Sequence, residues 1–149
     1  MTTVNISINK SNVFEEVAKT TAYIGAKKLE GAGAAYDRIF TTSSDQEMIA
    51  RFWSESADVV TNLLQRFITS VSSGDTYQIA LSMSSRYDQN LTSSISSAMF
   101  SFFVNNIVAK WCEITDKDNV KDYADNASAL LLDIKEKIFH KKKPTRNNI

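Results

Sequence analysis

The chain has 149 residues, with 17 basic and 17 acidic side chains, a single Cys, a single His, one Pro and four Gly. That length suits one domain, 1–149, stable without staples, and the scarcity of Gly and Pro predicts long uninterrupted elements. The lone Cys112 excludes an internal disulfide, and with His140 the only histidine, nucleophilic Cys-His or Ser-His chemistry lacks its partner.

The opening MTTVNISINK has neither the basic start nor the apolar run of a signal peptide, and no stretch reaches the roughly 18 apolar residues of a membrane span. The expectation is a soluble, unexported protein with no membrane contact, in which the N-x-S/T triplets at Asn5, Asn9, Asn90 and Asn126 are chance matches. Residues Thr3 to Ile8 alternate, Val4, Ile6 and Ile8 against Asn5 and Ser7, which is the period of a half-buried strand. Asn12 with Glu15 reads as a capping box opening a helix that carries Val13, Phe14, Val17, Thr21 and Ile24. Gly31 and Gly33 would end it, and Tyr36, Ile39 and Phe40 would pin the crossover to the body.

A second capping box, Ser44 with Glu47, opens the next helix, whose face runs through Ile49, Phe52, Trp53, Ser56, Val59, Val60, Leu63, Phe67 and Val71. After the break at Ser72 to Asp75, Tyr77, Ile79, Leu81 and Met83 alternate with Gln78, Ala80 and Ser82 as a second strand. The two strands could pair within the chain, or each could extend a sheet across a subunit boundary. The most apolar stretch follows. From Leu91 to Ile114, Leu91, Ile95, Ala98, Met99, Phe102, Phe103, Ile107 and Trp111 recur at helical spacing, predicting a central rod that the other elements cover. Its serines, Ser93, Ser94, Ser96, Ser97 and Ser101, read as a solvated face. Phe100 lies off the main stripe and is the aromatic placed to meet a partner. After turn residues Asp116 to Asp118, a final helix carries Val120, Tyr123, Ala124, Ala127, Leu130, Leu131, Ile134 and Ile138, antiparallel to the rod, and Pro144 closes it. The fold class is thus mainly α: an antiparallel bundle of about four helices with two short β-strands, one N-terminal and one mid-chain.

Chemistry is sparse. Glu15 with Glu16, and Asp116 with Asp118, lack histidines at ligand spacing, and Gly31-Ala32-Gly33 has neither the lysine nor the preceding strand of a phosphate loop. No metal, cofactor or small-molecule substrate is expected, and the protein is read as a non-enzyme. Charge is uneven: from Asp133 onward six basic side chains face two acidic ones, giving this end +4 and the remainder −4. Lys141, Lys142, Lys143 and Arg146 can meet phosphates or an acidic protein surface, or simply keep a helix end soluble. A compact helix-turn-helix is not visible, which argues against sequence-specific DNA reading.

Several segments resemble a family of small phage and prophage proteins of gut Bacteroides-type bacteria: VFEEVAKTTAYIGAK, YDRIFTTSSDQEM, RFWSESADVVTNLLQRF, FFVNNIVAKW with ITDK, and KKKPTR. A looser similarity is to the head–tail connector, or adaptor, proteins of tailed phages. It rests on the acidic and arginine-aromatic run Asp45 to Trp53, the apolar helix ending near Trp111, and Tyr123 with Ala124 and Ala127. The longer helices and the extra N-terminal strand and helix depart from that plan. The resemblance implies a virion structural protein, made in the host cytoplasm, that forms a homo-oligomeric ring between portal and tail or neck proteins, with non-specific contact to packaged DNA. In that role the strands, through Tyr77, Ile79 and Leu81, would supply edge pairing between subunits. The alternative is a phage accessory protein that binds nucleic acid or regulates, using the C-terminal lysines.

Overall fold

A computed structural model describes residues 1–28 and 34–143. The elements are β1 (Thr2–Asn9), α1 (Lys10–Lys27), α2 (Ala34–Ile39), α3 (Gln46–Leu64), β2 (Ile68–Ser72), β3 (Thr76–Met83), α4 (Thr92–Thr115) and α5 (Lys117–Phe139), with single 3-10 turns before α3 and α4. The chain is mainly helical, but the described residues form five helices instead of about four and three strands instead of two. The additional strand is β2. Phe67 and Val71 continue the spacing of α3, which makes a helix to Val71 look continuous, yet α3 ends at Leu64 and the chain turns into the hairpin with β3.

The two strands expected from alternation pair with each other inside the chain. The sheet order is β1-β3-β2, antiparallel throughout, and Val4 faces Leu81, Ile6 faces Ile79 and Ile8 faces Tyr77 across the first ladder. These six side chains are buried against the helical layer, while Thr3, Asn5, Ser7 and Gln78 on the opposite face are exposed. Alternation of apolar and polar residues is what places one face of an antiparallel sheet on a core and the other in water.

Helix α4 is the rod the sequence predicts. Ile95, Met99, Phe102, Phe103, Ile107 and Cys112 are buried, and so are Val104, Val108 and Ala109 off that stripe, because α1, α2, α3, α5 and β1 all touch it. The stretch Gln89–Thr115 is long and apolar enough, by length and composition, to cross a membrane; here its apolar side chains form the centre of the core. Phe103 is the hub of an aromatic cluster, with ring centroids 4.6 Å from Trp53, 5.4 Å from Tyr77 and 6.1 Å from Phe102. Each such ring, fully buried, contributes roughly 1.5–3 kcal/mol of transfer free energy. Asp116 alone links α4 to α5, and the pair is an antiparallel hairpin: Lys137 Nζ reaches Ser94 Oγ at 2.6 Å, and Asn126 Nδ2 lies 3.5 Å from Asn105 Oδ1.

Both helix starts differ in detail from the capping boxes predicted. Asn9, the last strand residue, caps α1 by accepting from the Asn12 N–H at 3.2 Å, so Asn12 lies inside the first turn. Before α3 the box is Thr42 with Asp45, whose carboxylate accepts from the Thr42 N–H at 2.8 Å and from its hydroxyl at 3.1 Å. In each case the polar side chain nearest the preceding element reaches the orphan donors first. Helix α1 ends at Lys27 and α5 at Phe139; Gly31, Gly33 and Pro144, expected as terminators, lie outside the described residues. Gly25 allows α2 to sit against α1, since a Cβ there would fall 2.7 Å from the Tyr36 Cα.

Candidate interaction surfaces

Three places gather polar or charged groups. The first is a joint at the α4–α5 corner. Lys28 Nζ, just past α1, pairs with Asp116 at 2.5 Å and Asp118 at 2.6 Å, Asn119 Nδ2 donates to the second Asp116 oxygen, and Arg38 Nε donates to the Thr115 carbonyl at 2.7 Å. Burial by itself would raise the Asp116 carboxyl, but the hydrogen bonds from Lys28 and Asn119 outweigh it and hold the group below its ordinary range. Hydrogen bonds to Asp116 and Asp118 push the Lys28 ammonium well above its usual value. Burial, with Asp116 nearby, raises the Cys112 thiol to about 11, so it is un-ionised at neutral pH and a poor nucleophile. This is a structural pin for four helix ends, those of α1, α2 and α4 and the start of α5. Among the described residues no three His, Cys, Asp or Glu side chains converge as a metal site.

The second place is the free edge of β1. Lys10 N–H continues the β1–β3 ladder to the Asp75 carbonyl at 3.0 Å. Counting back by twos, Ile8, Ile6 and Val4 direct their backbone groups to β3, while Thr3, Asn5 and Ser7 direct theirs away from it. The Ser82 N–H bond to Phe67, at 2.8 Å on the β2 side of β3, fits the same phase. No backbone hydrogen bond to Thr3, Asn5 or Ser7 occurs outside that ladder among the described residues. Edges are ordinarily blunted by charge, Pro, a bulge or brevity. The strand β1 runs eight residues, TTVNISIN, with none of these, whereas the other edge, β2, has five residues and a register shift between Ile68 and Ser70. Next to the second half of β1 a groove of about 340 Å³ runs to α4, bounded by Ser7, Asn9, Asn12, Ser96, Ser97 and Phe100.

The third place is the basic end. The segment after α5 is held against the loop that follows β3: Lys141 bridges to Tyr87, the Lys142 N–H donates to the Arg86 carbonyl at 2.8 Å, and the Lys142 carbonyl accepts from Arg86 Nε and Nη2 at 3.2 and 2.9 Å. Arg66, from the turn after α3, lies with His140 and Lys141 around a small apolar hollow of about 110 Å³ floored by Met83, Tyr87 and Ile138. Phe139, 47% exposed, packs edge-on to Phe67 at 5.3 Å.

These positions sort the residues singled out from sequence. Tyr77, Ile79 and Leu81 are buried on the central strand, at 0%, 2% and 0% exposure, so their side chains face the chain's own core and the pairing edges belong to β1 and β2. Phe100 is half-buried at the groove beside β1. Lys141, Lys142 and Lys143 are exposed, and Arg146 lies outside the described residues. Sequence reading passed over Thr3, Asn5 and Ser7, because edge status is a property of strand order, and Arg66 and Arg86, because only the fold brings them beside the C-terminal lysines.

No family model matches this chain, no curated protein matches it, and no solved structure matches it.

Proposed function

We propose that the protein is a virion structural subunit of a tailed bacteriophage, a head–tail connector or neck protein that assembles into a ring between the portal and the tail. It is made in the host cytoplasm and has no catalytic role. The likeness to phage proteins in the segments around Val13 to Lys27, Tyr36 to Phe67 and Phe102 to Trp111 supports this reading. The observation that carries it is the open edge of β1. An uncharged, unbulged strand of this length favours pairing with another chain. A ring requires unlike surfaces to meet, since like-to-like contact closes at a dimer, so β1 of one subunit would meet a surface other than β1 on the next.

Light scattering of the purified protein, alone and mixed with portal or tail components, tests it. A large closed oligomer, formed spontaneously or on mixing, is expected, and Asn5→Pro, which removes an edge N–H, should dissolve it. A monomer or dimer under every condition overturns the proposal.

A further inference from the structure

We infer that the basic end is a binding site for the phosphodiester backbone of nucleic acid, taken without regard to sequence. It uses the C-terminal segment and not the free edge of β1. From sequence the lysines read equally well as a solubilising tail. In the fold they are not a tail: the segment Lys141–Lys142 is fastened on both sides of its backbone to Arg86 and Tyr87. Three distant parts of the chain thus meet in one cationic cluster: Arg66 and Lys141 border the same hollow, Arg86 holds the Lys142 carbonyl, and Lys143 follows, exposed.

The charge of this surface is left largely uncompensated. Arg86 spends its donors on a carbonyl, which leaves its positive charge in place, and Arg66 sits 6.0 Å over the Phe67 ring. Neither they nor Lys141 and Lys143 have a carboxylate partner among the described residues; Lys142 alone faces one, Asp88, at 3.8 Å. The acidic neighbours Asp133 and Glu136 lie on the flank with Lys137 and His140, and Lys137 neutralises Asp133 at 2.6 Å. Gathering cations without anions is unfavourable unless a polyanion completes the arrangement, and a nucleic acid does so while releasing its counterions. The exposed Phe139 ring adds a face on which an unpaired base can stack. Among the described residues no helix or strand projects from this end to enter a groove, so the contact reads charge and not sequence.

Fluorescence anisotropy of the full chain with a labelled single-stranded oligonucleotide, over a range of salt, tests this. If three to five phosphates are engaged, the slope of log K against log salt should be about −2 to −3.5. Two oligonucleotides of different sequence should bind within about threefold of each other. Lys141→Ala with Lys143→Ala should make the slope shallower by about 1.4 and weaken binding at least tenfold near 0.1 M salt, on the per-phosphate scale for single strands. Both side chains are exposed, so the circular dichroism spectrum should not change. Arg66→Ala is the decisive arm: it should weaken binding several-fold, because the site is assembled and not a tail. Binding insensitive to salt, or equal affinity for poly-glutamate, which would identify an acidic protein partner, overturns the proposal. So does loss with the lysine variant but none with Arg66→Ala. The ring is read separately by mass, so failure here leaves that question standing.

Discussion

The two tryptophans make opposite use of the same indole N–H, and exchanging each for phenylalanine separates packing from hydrogen bonding. Trp111 Nε1 donates to the Ile39 carbonyl at 2.6 Å, joining α4 to the end of α2. Trp53 is buried between Phe14 and Phe103, and its Nε1 has no partner among the described residues. Removing the pyrrole part of either indole takes away roughly 40 Å³, which at about 24 cal/mol per Å³ of residual cavity is about 1 kcal/mol. Trp111→Phe also strands a buried carbonyl, adding about 1–3 kcal/mol, so the expected loss is about 2–4 kcal/mol. Trp53→Phe instead deletes a buried donor that had gained no protein bond, and relief of that desolvation, about 1–3 kcal/mol, offsets the cavity. Its stability should match the parent's or exceed it by up to about 2 kcal/mol. Urea unfolding followed by circular dichroism measures both, provided the slope of the transition is unchanged. Burial alone predicts the reverse order, since Trp53 is 1% exposed and Trp111 7%. Equal losses, or a larger loss for Trp53→Phe, would refute the reasoning.

Three further outcomes follow from the same structure. Asp116 is held below its ordinary pKa, so its contribution is present above the unfolded value near 3.8 and lost as pH falls through the folded one; Lys28 is raised, so its contribution is present below 10.5 and lost as pH climbs through its folded value. The contribution of this pair should therefore be level between these limits and fall at both ends, and Asp116→Asn should lower the plateau and flatten the pair's share of both limbs in a urea-midpoint series from about pH 3 to about pH 11. Gly25→Ala should destabilise by about 1–3 kcal/mol, because the new methyl meets the Tyr36 backbone and not a movable side chain; a thermal midpoint equal to the parent's would contradict the close approach of α1 and α2. Leu81→Asp should prevent folding, as a charge placed at a fully buried central-strand position, whereas Phe100→Asp should keep a native circular dichroism spectrum, since that ring is only partly covered.

Much of this fold is legible in the residues. The period of two in Thr3 to Ile8 and Tyr77 to Met83, and the three-and-four spacing from Ile95 to Trp111, each report which side chains must leave water, and the structure buries those, with Leu91 at the head of the stripe half-buried. The hairpin strand β2 escaped because ITSVS has no alternation of its own to announce it: after Ile68, which is half-buried, every residue is exposed. Phe67, just before it, and Val71 within it also fall in phase with the preceding helix. The capping boxes were displaced by a few residues because several Ser, Thr, Asn and Asp side chains compete for the same orphan donors, and only the entry path of the chain selects one. The candidate surfaces were less legible still. Lys141 to Lys143 stand out as a run, but Arg66 and Arg86 join them only through long-range docking. The β1 edge exists only because β3, and not β1, took the central place.

That strand order also bears on how the chain is made. Asn9 and Thr76 are 67 residues apart, and Thr2 and Met83 are 81 apart, so at about 5–20 residues per second the ribosome takes roughly 3–16 s between delivering β1 and delivering its partner. Through that interval Val4, Ile6 and Ile8 have no sheet to join, and both sides of β1 are open instead of one. Nascent chains emerging side by side on one message are close enough in that time for one β1 to find another. A slower supply of β3, through rare codons or low temperature, should therefore raise the insoluble fraction, whereas any factor that shields β1 until Met83 has emerged should lower it.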